Sequence, residues 1–149
     1  MDQVKELRDK TGISVMQCSK ALEQAGGDIV KALEILKEKS AELASKKGDR
    51  VLGAGAVGSY IHSTGTIGAM VLLMSETDFV SKNKEFTDLA RDIAMHVAAS
   101  EVEEGNVAAL LAQPFIKNPD QTINDLVSAA IQKFGEKVEV SRFARFSAF

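Results

Sequence analysis

The chain has one cysteine, no tryptophan, one tyrosine, two prolines and two histidines among its 149 residues. A lone thiol, Cys18, builds no disulfide framework, which fits a reducing compartment. One cysteine and two histidines, far apart, are too few soft ligands for a zinc site. No apolar run approaches the ~20 residues of a membrane-spanning helix. The opening MDQVKELRDK is charged throughout and has no signal-peptide core. The expected location is the cytoplasm, or an organelle matrix if a targeting segment has been removed. A basic excess is missing as well: the net charge is −3 and the pI about 5.4. The densest basic stretch, Lys46, Lys47 and Arg50, has Asp49 within it, so direct RNA or DNA binding is not expected.

What is present describes an ordinary globular chain, 45% apolar and 26% charged, long enough to bury a real core. The first forty residues read as three short helices. Val4 and Leu7 mark the first, which Gly12 ends. Ser14 and Gln17 form a capping-box pattern opening the second, whose apolar stripe is Val15, Cys18, Leu22 and Ala25. Gly26-Gly27 breaks it, and Asp28 caps a third helix carrying Ile29, Ala32, Leu33 and Leu36. The charged stretch after it reads as a connecting helix or linker.

From Val51 the composition turns to Gly, Ala and β-branched residues. Two strand-like runs, Ala56 to His62 and Thr66 to Met74, flank a Ser-Thr-Gly hairpin signal. The second is apolar on both alternations, which predicts a central strand covered on both faces. A helix with Phe86, Leu89, Ala90, Ile93 and Val97 on one face follows. Residues 101–121, broken by Pro114 and Pro119, read as irregular. A helix over about Thr122 to Phe134, stopped by Gly135, precedes a final strand. The predicted fold is α+β: a three-helix module over 1–39, a connection over 40–52, and a core over 53–149 with a three-stranded antiparallel sheet packed by helices.

GAGAVG, residues 53–58, matches the glycine pattern of a dinucleotide site, and Asp78 lies twenty residues beyond it. That chemistry requires a strand before the glycines and a helix after them. Here a charged, helix-like segment precedes and the strand-like SYIHS follows. The glycines therefore read as places where another element comes close. His62 and His96 lack an acid–base partner in sequence, and His96 reads as a flank of the Phe86–Val97 stripe.

The stretch VKELRDKTGISVMQCSKALEQAGGDIVKALEIL resembles the N-terminal, ubiquitin-associated-like module of the elongation factor Ts family. GSYIHSTGTIGAMVLLMSETDFVSKNKEF, LARDIAMHVAAS and GEKVEVSRFARF resemble its core, in the expected order. The resemblance implies a nucleotide exchange factor, not an enzyme and without a cofactor, that releases GDP from elongation factor Tu.

It also implies site residues. Thr77, Asp78, Phe79 and Val80 stand where the family places a tip that enters the partner's GTPase domain and disturbs its magnesium site. Met16 and Lys20 match a Met-Met-Asp-Cys-Lys-Lys stretch that docks on the same domain, whereas Val15, Gln17 and Ser19 depart from it. Tyr60-Ile61-His62 matches a Tyr-x-His strand that longer members carry in a second core copy. A chain with one core and both features implies a homodimer, with the tip of one copy and His62 of the other serving one partner. The ending rich in Phe143, Phe146 and Phe149 suits such an interface. The long coiled-coil insertion of larger members is absent.

Two other readings stand beside this one. The three-helix unit could serve a pure interaction module that binds ubiquitin-like or other partners, and GAGAVG a dinucleotide enzyme. By local chemistry alone, Phe79 would be a hydrophobic staple where a helix begins and Asp78 a turn former.

Overall fold

A computed structural model describes residues 2–149 of the chain. Three helices open it, α1 (Asp2–Thr11), α2 (Val15–Gln24) and α3 (Ile29–Lys46). Gly12, at φ 71°, ends α1 in the left-handed conformation a glycine tolerates. The Asp28 carboxylate accepts the Val30 and Lys31 N–H groups at the head of α3. Ser14 accepts the Gln17 N–H, but the Gln17 side chain leaves the expected capping box and accepts from Gln132 instead.

Leu7, Ile13, Cys18, Ala21, Leu22, Ala32 and Leu36 form a small core of their own. Val15, expected on that stripe, is 49% exposed; the buried face of α2 begins at Cys18. Burial pushes the Cys18 thiol up, which keeps it protonated and unreactive. The third helix continues to Lys46, and residues 47–53 are neither helix nor strand.

Strand β1 (Ala54–Ile61) pairs antiparallel with β2 (Ile67–Ser75). Then come α4 (Asp78–Ser81), α5 (Lys84–Ala99) and α6 (Val107–Ala112). A small hairpin, β3 (Pro114–Phe115) with β4 (Asn118–Thr122), leads to α7 (Ile123–Phe134) and β5 (Glu139–Ser147). Residues 101–121 are thus more ordered than expected: Pro114 and Pro119 sit in a short two-stranded ribbon, which tolerates missing N–H donors. Thr122 and Asp125 make a complete capping box at the head of α7, and Gly135 at φ 71° closes it.

The sheet order is β1-β2-β5 with β2 in the centre, all antiparallel. Ala69, Val71 and Leu73 of β2 face Phe86, Ala90, Ile93 and Val97 of α5 and Ile123, Val127 and Ile131 of α7 in one continuous core. The expectation of cover on both faces fails for the single chain. Met70, Leu72 and Met74 point the other way, and Met70 is 51% exposed. Beside them lie Val57, Ile61, Ala144 and Phe146, so the outer face is a broad apolar surface. Phe143 belongs to the inner core, because a register shift opposite Leu72 and Leu73 re-aims the strand. His96 is buried and hydrogen-bonded to Gln113 and to the Ile116 N–H, a structural histidine. No described helix is long and apolar enough to cross a membrane.

Candidate partner-binding site

The segment 75–81 turns from the end of the central strand into a four-residue helix. Thr77 is its N-cap, with an extended backbone, and Asp78 begins the helix. The Phe79 ring is 90% exposed on that short helix. It staples nothing. Asp78 is also exposed, and among the described residues its carboxylate has no hydrogen-bond partner. Val80 is different: it is 5% exposed and packs into the main core, so it anchors the tip from beneath.

Two adjacent carboxylates, absent from the sequence reading, hold this tip. Glu136 accepts both the Thr77 N–H (3.0 Å) and the Thr77 hydroxyl (2.7 Å). In return Glu76 accepts the Lys137 N–H at 2.5 Å and pairs with Arg50 at 3.1 Å. Those donors, the Lys137 N–H foremost and Arg50 after it, hold the Glu76 carboxyl below the ordinary carboxylate range. No short-range pattern announces the clasp, since its two sides lie 59 residues apart for one pair and 61 for the other.

The same end of α7 gathers further segments. Gln132 donates to the Gln17 side chain of α2 at 2.8 Å and also accepts the Ser40 hydroxyl of α3. Lys133 pairs with Glu85 at the start of α5 and lies under Gly12. Met16 (67% exposed) and exposed Lys20 of α2 are therefore presented on a helix tied to the end of α7, four residues before the Glu136 that clasps the tip.

His62 is elsewhere. It closes the far end of the hairpin through its N–H to the Ile67 carbonyl, and its Nδ1 lies 3.1 Å from the Tyr60 hydroxyl. Strand β1 pairs Ala54 with Ser75 at the tip end and Ile61 with Gly68 at the His62 end. Eight residues at ~3.3 Å each separate the two ends by about 25 Å. One chain cannot place both on one spot. Among the described residues no group of three or more His, Cys, Asp or Glu could hold a metal ion.

The segment carrying the tip, the clasp and the last strand, residues 76–148, matches the family described as Elongation factor TS. Curated relatives extend the match over nearly all of the chain. "Elongation factor Ts" of Carboxydothermus hydrogenoformans is 40% identical over 186 residues, covering 96% of this chain and 86% of the relative. The chain belongs to the elongation factor Ts family.

The protein of that name from Alkaliphilus metalliredigens is 41% identical with the same coverage, and that from Thermodesulfovibrio yellowstonii is 40% identical, covering 96% and 92%. These alignments are longer than the chain itself, so these elongation factor Ts relatives carry residues with no counterpart here.

Proposed function

We propose that the chain is a guanine nucleotide exchange factor that binds elongation factor Tu in its GDP form and promotes GDP release during translation elongation. The observation that carries this reading is Phe79, a large apolar ring held 90% exposed on an anchored tip. A free monomer gains nothing by presenting that ring to water, whereas a wedge must be presented in this way. Magnesium is held at short distances in near-ideal octahedral geometry, so a small displacement of its surroundings is costly to the bound ion. Packed interiors do not deform smoothly, so a ring inserted between partner helices forces such a displacement. Asp78 would add a negative charge beside the partner's phosphate site. No bond is made or broken. GDP and the factor weaken each other's binding by the same free energy.

Burying one phenylalanine stabilises the opened complex by about 1.5–3 kcal/mol, roughly a ten- to hundredfold effect. Further contacts are needed, and Met16 and Lys20 are available on α2. His62 is available only from another copy, given the ~25 Å between the two ends of the sheet. The reading therefore includes a homodimer joined through the open face of Val57, Ile61, Met70, Leu72 and Phe146. A two-fold axis between the stacked sheets and perpendicular to the strands brings the tip of one copy toward His62 of the other.

The test is release of fluorescent GDP from elongation factor Tu, with the wild-type chain and with Phe79→Ala. Acceleration that collapses in the variant supports the wedge. Binding to elongation factor Tu without acceleration by the wild type would leave an interaction module instead.

A further inference from the structure

The clasp under the tip has a geometry that local structure does not require. A helix of four residues cannot hold itself, because nucleation fixes about six dihedrals for one hydrogen bond and so short a helix has almost no propagation to offset that cost. Its N-cap would normally use the threonine oxygen to accept an N–H of its own first turn. Thr77 makes no such bond; its hydroxyl instead donates to Glu136. The Thr77 N–H donates to the other oxygen of the same carboxylate, and the Thr77 carbonyl accepts the hydroxyl of fully buried Ser75 at 3.0 Å. Every polar group of Thr77 thus has a partner outside α4, the carbonyl also taking the Ser81 N–H of α4 at 3.2 Å. Phe79 follows two residues later, with buried Val80 behind it.

Glu136 is itself well placed to bear load. It directly follows Gly135, whose φ of 71° turns the chain out of α7, and the next N–H, that of Lys137, is held by Glu76. The clasp is reciprocal: the side chain of 76 bonds the backbone of 137, and the side chain of 136 bonds the backbone of 77. We propose that Glu136 is a positioning residue for nucleotide release, fixing through Thr77 the direction in which Phe79 is presented. The proposal rests on the exchange reading above. A tip fixed before encounter does not lose conformational freedom when it enters the partner, so its binding free energy goes into opening the nucleotide site.

The experiment measures the maximal rate of fluorescent-GDP release and the factor concentration giving half that rate. It compares wild type, Phe79→Ala, Glu136→Ala, Glu136→Gln and the Phe79→Ala/Glu136→Ala double variant. Glu136→Ala is expected to lower the maximal rate about tenfold, the effect of losing a charge-assisted hydrogen bond, with the half-saturating concentration unchanged. Glu136→Gln, which keeps one acceptor oxygen and nearly the same shape, recovers part of that loss. Adding Glu136→Ala to Phe79→Ala has no further effect, because Glu136 acts through the ring. If Glu136→Ala fails to fold, as judged by circular dichroism, Glu136→Gln alone decides by the same rate measurement. An effect of Glu136→Ala that is undiminished without the ring overturns the proposal, as does wild-type exchange in the folded Glu136 variants. Either result leaves the exchange reading intact. No exchange by the wild type overturns that reading and the proposal with it, whereas a Phe79→Ala variant as active as wild type overturns the wedge and the proposal but leaves the exchange activity standing.

Discussion

Gly58 lies against the backbone of Ala90: a Cβ on Gly58 would fall 2.3 Å from the Ala90 carbonyl carbon and 2.6 Å from the Arg91 nitrogen. The last glycine of GAGAVG is therefore the point where α5 crosses β1, and it has no nucleotide phosphate to approach. Gly58→Ala must push a helix off the sheet, and overpacking of this kind costs about 1–3 kcal/mol. Gly55→Ala is the milder case, because its nearest neighbour is the Met74 sulfur, at the flexible end of a side chain, and the backbone comes no closer than the Leu73 oxygen at 3.0 Å. Urea melts of the two variants should rank Gly58→Ala as much the less stable. Equal midpoints would mean that the helix–strand crossing has slack.

Phe79 should separate stability from activity. Its ring is 90% exposed, so Phe79→Ala should leave the unfolding midpoint within about 0.5 kcal/mol of wild type. Exchange should fall roughly ten- to hundredfold, the value of burying that ring in the partner. A variant that melted much earlier would show that the ring supports the fold after all.

The outer sheet face offers a test of assembly. Met70 sits at its centre, flanked by Ser59 and Ala144 and half-exposed. Met70→Glu should leave the monomer folded. An unpaired charge buried in a sheet-on-sheet interface costs about 3–5 kcal/mol, more than a hundredfold in association. Light scattering should then show a wild-type dimer and a Met70→Glu monomer. A monomeric wild type at the same concentration would remove the homodimer, and with it the route by which His62 and Phe79 serve one partner.

Glu76 sets a pH dependence. The Lys137 N–H and Arg50 favour its charged form, so its folded value lies below the ordinary carboxylate value of about 4.3. As pH falls through that ordinary value the unfolded chain takes up the proton first, and the folded state loses stability by comparison. The contribution is present above pH 4.3 and disappears as pH drops through the folded value. Glu76→Gln should flatten the acid limb of the stability curve while leaving its slope near neutrality alone. Superimposable acid limbs would mean that the clasp does not depend on that charge.

Some of this was legible from neighbouring residues alone. Asp28 and Ser14 were visible as caps, and Gly12 and Gly135 as stops, because a cap is a contract between residues two to four apart. The α5 stripe of Phe86, Ala90, Ile93 and Val97 was equally plain, since its 3.6-residue period is written in order along the chain. The order in 101–121 was not visible, because a two-residue strand has no period to read. The exposure of Val15 was hidden as well: spacing marks a stripe but does not say where its cover ends.

The sequence by itself determined the order of the longer helices and strands, the α+β class, the family and the unusual aromatic at position 79. Each of these rests on composition, periodicity or a local motif. Only the tertiary structure decided which way things face. It left the Met70 side of the central strand open, turned Val80 inward beneath Phe79, and separated His62 from the tip by the length of a strand. It also joined residues 76 and 77 to 136 and 137. Those outcomes depend on which distant backbone N–H meets which carboxylate, and that pairing exists only once α7 and the sheet have packed together.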